Sequence, residues 1–344
     1  MKKMLFSIFM IFLSTALLAQ QKRYSINISS IPSQHKVIVL ADNKPFTEFI
    51  YPDSLEKPVL YPIYASDGNI ITRGFPLQSR AGEPTDHPHH IGLWLNYENV
   101  NGLDFWNNSF AIPADKKHLY GWIRTNGIGQ IKSGEQGILE YNADWTDQQK
   151  DILLKEATTF IFSADDEERI IDRITILTAQ RDILFKDAKD GLLGLRVAHE
   201  LELPSKDARQ FVDDKGNITT VAANDNSGVT GNYLTSEGKQ GDSAWSTRAN
   251  WCMLYGKEKN ETISIVIIDN PRNPGYPTYW HARGYGLFAA NPLGQKIFSN
   301  GKQEMNFQLK KNESVTFRYR IVIASGKNRL SAEKIDKLSK DFAH

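Results

Sequence analysis

Three imidazoles fall within four positions at His87-Pro88-His89-His90, and this is the densest chemistry in the chain. They close a Gly/Pro-bearing loop that carries Arg73, Arg80, Glu83 and Asp86, and they lead directly into the apolar run Ile91-Gly92-Leu93-Trp94-Leu95. Loops bounded by rigid strands are where binding and catalysis concentrate. His87 and His89 stand two residues apart, so in extended chain both rings lie on one side. A divalent metal could bridge them, with His199, His281, Glu83 or Asp86 completing the set. The metal reading is His87, His89 and His199. In the other reading His87, His90 and His281 serve directly as general acid and base.

Side-chain direction sorts the residues that follow. A strand over 89–97 sends His89, Ile91, Leu93, Leu95 and Tyr97 to one face, and His90, Gly92, Trp94 and Asn96 to the other. The first set is a core face. The second, an imidazole, an indole and an amide with a glycine clearing space, is a surface for a sugar ring and its hydroxyls. Trp106 lies just downstream in the same polar stretch. A second cluster, Tyr279-Trp280-His281-Ala282-Arg283-Gly284-Tyr285, puts His281, Arg283 and Tyr285 on one side by alternation. Arg73, Arg80 and Arg283 are the expected clamps for a carboxylate or a hydroxyl pair, and Trp94, Asn96, Trp106 and Trp280 the remaining ligand contacts. His199 shares a face with Leu195, Val197, Leu201 and Leu203, which is the setting of a hydrogen-bonded core histidine as much as of a ligand. Arg73, Arg80, His87, His89, His90, Trp94, His199, His281 and Arg283 are expected for the most part to converge on one pocket.

Strands must position them. Leu139, Tyr141, Ala143 and Trp145 alternate with polar residues, as do Val315, Phe317, Tyr319, Ile321 and Ile323. Period two with Asp-Gly and Asn-Gly turns predicts an all-β chain, one large antiparallel β-sandwich. One helix is expected, within 330–344, where Ser331 can cap and Ile335, Leu338 and Phe342 share a face. The sandwich domain is set at 20–329. Within it, 204–245 is rich in Asp, Asn, Gly and Ser and reads as a loop-rich insertion or rim.

Residues 1–19, MKKMLFSIFMIFLSTALLA, have the basic start, apolar run and small-residue end of a signal peptide. The mature chain is expected to be exported, periplasmic or extracellular, and not inserted in the membrane. The single cysteine, Cys252, sits in an apolar context and cannot form an internal disulfide. With 41 basic and 40 acidic residues the net charge is +1, which gives no case for nucleic acid.

The runs HPHHIGLWLNYENVNGLDFWNNS and YWHARGYGLFAANPLG resemble a family of secreted bacterial proteins of unknown function filed as the PmoA family. That label refers to a membrane subunit of methane monooxygenase, and a chain with mean hydropathy −0.43 and no later spanning segment is not one. More distantly, the many strands and the closing NESVTFRYRIVIASG are similar to galactose-mutarotase-like β-sandwiches (the supersandwich). The resemblance implies sugar binding on a concave sheet with histidine and carboxylate acid–base work, and a place in carbohydrate catabolism. Two function classes follow. One is an exported enzyme on a sugar or keto-sugar, an epimerase, lyase or glycoside-cleaving enzyme, with or without a metal. The other is a non-catalytic glycan-binding protein of a polysaccharide-utilisation system.

Overall fold

The alternating segments stack as two eight-stranded antiparallel sheets in the computed structural model, which describes residues 23–205, 209–212, 218–221 and 228–344. The expected leader, 1–19, lies outside the described residues. The first sheet runs Ile26–Ile31, Lys36–Ala41, Lys44–Ile50, Val59–Ile63, Leu93–Tyr97, Gly191–Arg196, Leu287–Asn291, Tyr279–Ala282. The second runs Asn232–Thr235, Trp251–Glu258, Glu261–Asp269, Ser314–Gly326, Glu168–Ala179, Ile152–Ala164, Gly137–Thr146, Trp122–Lys132. Their inner faces make one apolar core. Leu139, Tyr141, Ala143, Trp145, Phe317, Tyr319, Ile321 and Ile323 of the second sheet meet Leu93, Leu95, Tyr97, Leu193, Leu195, Phe288 and Ala290 of the first. Each large side chain buried this way contributes about 1.5–3 kcal/mol. The all-β sandwich with its short C-terminal helix therefore follows from the period-two pattern.

The helix is Ala332–Ala343, and the Ser331 hydroxyl caps it by accepting from the Lys334 N–H. Ile335, Leu338 and Phe342 pack on the outer face of the second sheet, beside Trp251 and Val266. The stretch 204–245, expected as a loop-rich insertion or rim, contains paired strands where it is described. It holds a hairpin of Arg209–Val212 with Ile218–Val221, and its Asn232–Thr235 segment is the edge strand of the second sheet. Short, polar strands of this kind carry too little alternation to be read from composition. Among the described residues no helix is long and apolar enough to cross a membrane.

A charged network sits inside the core of the second sheet. Glu156 and Arg173 are each 2% exposed and pair at 3.0 Å. The same carboxylate accepts from the Tyr141 hydroxyl, the Trp145 indole at 2.8 Å and the Thr158 hydroxyl at 2.7 Å. Every oxygen is satisfied, which is what permits the charge there. Glu156→Ala would leave the Arg173 guanidinium charged and unpaired, with an expected loss of about 3–5 kcal/mol. A fall in the urea midpoint at unchanged slope would report it, and a change under about 1 kcal/mol would contradict this account.

Candidate functional site

Arg73, at the start of the long segment between Val59–Ile63 and Leu93–Tyr97, is 1% exposed and gathers that segment around its guanidinium. It donates to the Asp86 carbonyl at 2.7 Å, the Asp86 carboxylate at 2.8 Å, the His87 carbonyl at 2.9 Å and the His90 carbonyl at 3.2 Å. Arg196, fully buried on the outer face of its strand, donates to the same Asp86 oxygen at 3.0 Å. Burial alone would raise the Asp86 pKa, but Arg196, the His87 contact and Arg73 outweigh it and hold the carboxyl well below the usual range. Asp86 is thus an ionised, acceptor-only group.

Its second oxygen faces Nδ1 of His87. An acceptor there requires Nδ1 to carry the proton, which leaves the Nε2 lone pair of a neutral His87 free. His87 is 41% exposed and has φ of 47°, a strained backbone for a non-glycine residue. Its ring lies parallel to His90 at 4.9 Å and to Tyr285 at 5.1 Å. A histidine oriented by a buried carboxylate, with its other nitrogen open, is the arrangement of a general base.

His90 has a different place from the one expected. It is 2% exposed, and the Trp106 indole, which can only donate, points at its Nε2 at 3.3 Å. Its Nδ1 faces Arg196 at 3.5 Å. Burial and then the neighbouring His89, His87 and Arg196 charges push its pKa well down, so the ring stays neutral and is no proton carrier. Trp94 and Trp106 are both fully buried, 5.0 Å apart, in a cluster with Tyr61, Ile91 and Leu287. Gly194 makes this possible, since a Cβ there would come within 2.5 Å of Trp94 and 2.7 Å of Trp106. The expected open stacking surface on Trp94 is therefore a closed floor. Asn96 is also fully buried and donates to the Phe105 carbonyl at 2.6 Å. Ile91 joins this outer cluster rather than the core, because the strand begins only at Leu93 and 87–90 is a turn closed by His90 N–H to His87 carbonyl.

The second sequence cluster forms a hairpin, Tyr279–Ala282 with Leu287–Asn291, whose 283–286 turn reaches toward His87. The Arg283 guanidinium sits 5.8 Å from the Tyr285 ring and 5.4 Å from that of Trp245, and makes no side-chain hydrogen bond or ion pair among the described residues. Trp245 packs against His281 with ring centroids 5.5 Å apart and planes tilted by 30°, and His281 Nδ1 lies 3.5 Å from Asp190. His87, Tyr285, Arg283, Trp245, His281 and Asp190 thus form one arc of successive contacts. Burial, then Lys189 and Arg283, pull the His281 pKa down to about 3, so this ring too is neutral. Burial pushes the Asp190 carboxyl up to about 6, against the opposing pull of Lys189.

Of the expected residues, Arg73, His87, His89, His90, Trp94 and Trp106 share one end of this region, and His281 and Arg283 the other. His89 is half-buried, with its ring 4.3 Å from His90. Arg80 lies apart, bonded to the Thr72 carbonyl and Glu83 as a brace for its own loop. Trp280 is in the main core, on the opposite face of its strand from His281. His199 falls in a 3-10 turn beyond the end of the strand and meets Glu202 at 3.3 Å. Among the described residues no three His, Cys, Asp or Glu side chains converge to hold a metal ion, so His87, His89 and His199 are not assembled as a ligand set.

Four contributors were not picked out from the sequence: Asp190, Arg196, Trp245 and Lys57. Lys57 is 3% exposed, donates to the His89 carbonyl at 2.7 Å and lies 5.4 Å from the Trp94 ring, with burial lowering its pKa to about 8. Asp190-Gly191 reads as a turn and Arg196 as one residue of an apolar strand. Only the alternation of Arg196 with Leu195 and Val197 hinted at an outward-facing charge.

The chain is similar, over 88% of its length, to an alpha-galactosidase from Geobacillus stearothermophilus at 10% identity and a TM-score of 0.38, covering 41% of that chain. Similarity to a galactose mutarotase-like protein from Clostridium acetobutylicum covers 88% of this chain and 99% of that one, at 12% identity and a TM-score of 0.33. The bifunctional protein GlmU of Oenococcus oeni is 29% identical over 115 residues, 30% of this chain and 26% of that protein. The chain thus spans about a quarter of that relative and under half of the alpha-galactosidase. Likeness at these levels says nothing about the site. None of these proteins carries the PmoA label. A family model does match, over residues 36–340, and on that match the chain belongs to a family of unknown function, DUF6807.

Proposed function

We propose that this is a carbohydrate-active enzyme that moves a proton at a carbon beside a carbonyl, on a sugar or keto-sugar held along the arc from His87 to Asp190. The observation that carries this reading is the opposite tuning of its two ends. The His87 proton is pinned on Nδ1 by ionised Asp86, so Nε2 can accept. Asp190, with its pKa pushed up to about 6, keeps a proton to give up to about that pH, well above the range of an ordinary carboxyl. In this mechanism His87 abstracts the proton, and Asp190 protonates the oxygen on which charge develops. Arg283, free of ion pairs among the described residues, holds that oxygen or a carboxylate beside it. The half-buried rings of Trp245 and Tyr285 flank the sugar. Epimerisation and β-elimination both begin this way. Glycoside cleavage by paired carboxylates fits less well, because Asp86 is committed to two arginines and His87. The neutral His90 and His281 favour the alternative, a glycan-binding role in which sugar is held without turnover.

Folded His87→Ala, Asp190→Asn and Arg283→Ala variants, assayed on a panel of sugars and keto-sugars, separate these readings. The first two should lower turnover by about 10²–10⁴-fold while binding persists, and the third should weaken binding. Wild-type turnover in all three would sink the enzyme reading, and binding without turnover in the parent would select the alternative.

The Asp190 shift also has a stability signature. Its folded pKa, about 6, lies above the ordinary 3.8, so the native state binds this proton more tightly than the unfolded chain does. Asp190 therefore costs stability above pH 6, and that cost fades as pH falls through 6 toward 3.8. The Tm of Asp190→Asn relative to the parent should be highest near pH 8 and decline toward pH 4, within about these bounds. A flat or inverted difference would contradict the assignment.

We further propose that the protein works outside the cytoplasm, on the strength of the 1–19 leader pattern. N-terminal sequencing of native material should begin near Gln20, and recovery of Met1 would overturn this.

A further inference from the structure

We propose a second binding site, for a neutral sugar residue of an oligosaccharide, in a groove lined by Trp122 on the outer face of the second sheet. The groove has a volume of about 540 Å³, inside the range of about 300–1,000 Å³ that accommodates small ligands. It lies along Trp122–Lys132, the edge strand of that sheet, and is bounded by the turn after Thr146 and by Asp53. Ile123 is 2% exposed and points into the core, so alternation turns Trp122, Arg124 and Asn126 outward. Antiparallel register then sets Trp122 beside Thr146 and Arg124 beside Asp144.

Trp122 is half-buried and belongs to no apolar cluster of the described residues, so core packing does not account for an indole here. The Lys117 ammonium lies 5.7 Å from its ring and is itself anchored on Asn108 and the Ser109 carbonyl. Asp144 supplies the polar half of the site. Its Oδ2 accepts from the Asn126 amide at 2.6 Å, whereas its Oδ1 is buried without a hydrogen-bond partner. An aromatic ring beside an orphaned carboxylate oxygen matches a pyranose, which has a flat C–H face for the ring and hydroxyl donors for the oxygen. Charge selects against acidic sugars. Among the lining residues Asp53, Asp144 and Asp147 outnumber Arg124 and Lys150, Arg124 is already engaged with the Leu55 carbonyl, and Lys117 at the ring is held by Asn108 and the Ser109 carbonyl. This site shares no residue with the cleft at His87 and does not depend on its chemistry.

Hydrogen exchange of the full chain with neutral oligosaccharides (gluco-, galacto- and mannooligomers) tests the proposal. One of these should protect amides over 122–126 and 144–152, and Trp122→Ala should abolish that protection and weaken affinity by about tenfold. Trp122→Phe, which keeps a ring, should retain most of both, and Asp190→Asn should retain all of the protection. The proposal fails if no neutral oligosaccharide protects these segments, or if Trp122→Ala binds like the parent. It also fails if protection comes only from acidic glycans or from peptides. Loss of turnover in cleft variants with groove protection intact would sustain the second site whatever the cleft does.

Discussion

The Asp86 carboxylate, wedged between the buried guanidinium groups of Arg73 and Arg196, holds the long 64–92 segment onto the sheet. Two cations buried side by side repel, and burial followed by the Arg196 charge pulls the Arg73 pKa down to about 9. An anion between them relieves this, and the fixed geometry of two planar donors leaves Asp86 little freedom. Because one of its oxygens is committed to the arginines, the other is directed at His87. The tautomer and orientation of His87 are in this sense consequences of a charge problem solved inside the fold. Arg73 extends the same clamp to the backbone through the His87 and His90 carbonyls, so the turn that places the imidazoles is held by the same group.

Closure of the sheet's outer face decides where a ligand can lie. Trp94 projects outward from the central strand, but Trp106 folds over it from the following segment and Lys57 covers it from the preceding one. The pair fits only because Gly194, on the neighbouring strand, has no side chain. His90 is sealed into the same stack, with Trp106 occupying its acceptor nitrogen. The proposed ligand surface lies instead at the rim, where Tyr285 of the 283–286 turn packs on His87, and Trp245 packs between Arg283 and His281. Rim residues are less buried than the floor, and a close-packed floor is the kind of support that keeps side chains in register.

Much of the fold was legible because strand alternation is a local signal. Leu139 to Trp145 and Val315 to Ile323 state which side faces the core without reference to any other part of the chain, and Ser331 states where the last helix begins. The site was legible only in part. The crowding of histidine, arginine and aromatic residues at 87–90 and 279–285 marked both ends of the proposed arc, because such groups are costly to cluster without purpose. Roles within those clusters were not legible. Whether an imidazole is a base or a sealed core ring depends on what approaches its two nitrogens, and for His90 one of those is an indole 16 residues away.

Residue order by itself determined the all-β sandwich and its C-terminal helix, since period-two hydrophobicity and capping are written over a few consecutive positions. Tertiary structure alone decided that Trp94 and Trp280 are buried, that Arg73 and Arg80 hold loops, and that Asp190, Arg196 and Trp245 belong with His87. The physical reason is that burial, hydrogen-bond partners and pKa depend on groups brought together from distant strands. Asp190 and His281, 3.5 Å apart in space, are separated by about a quarter of the chain.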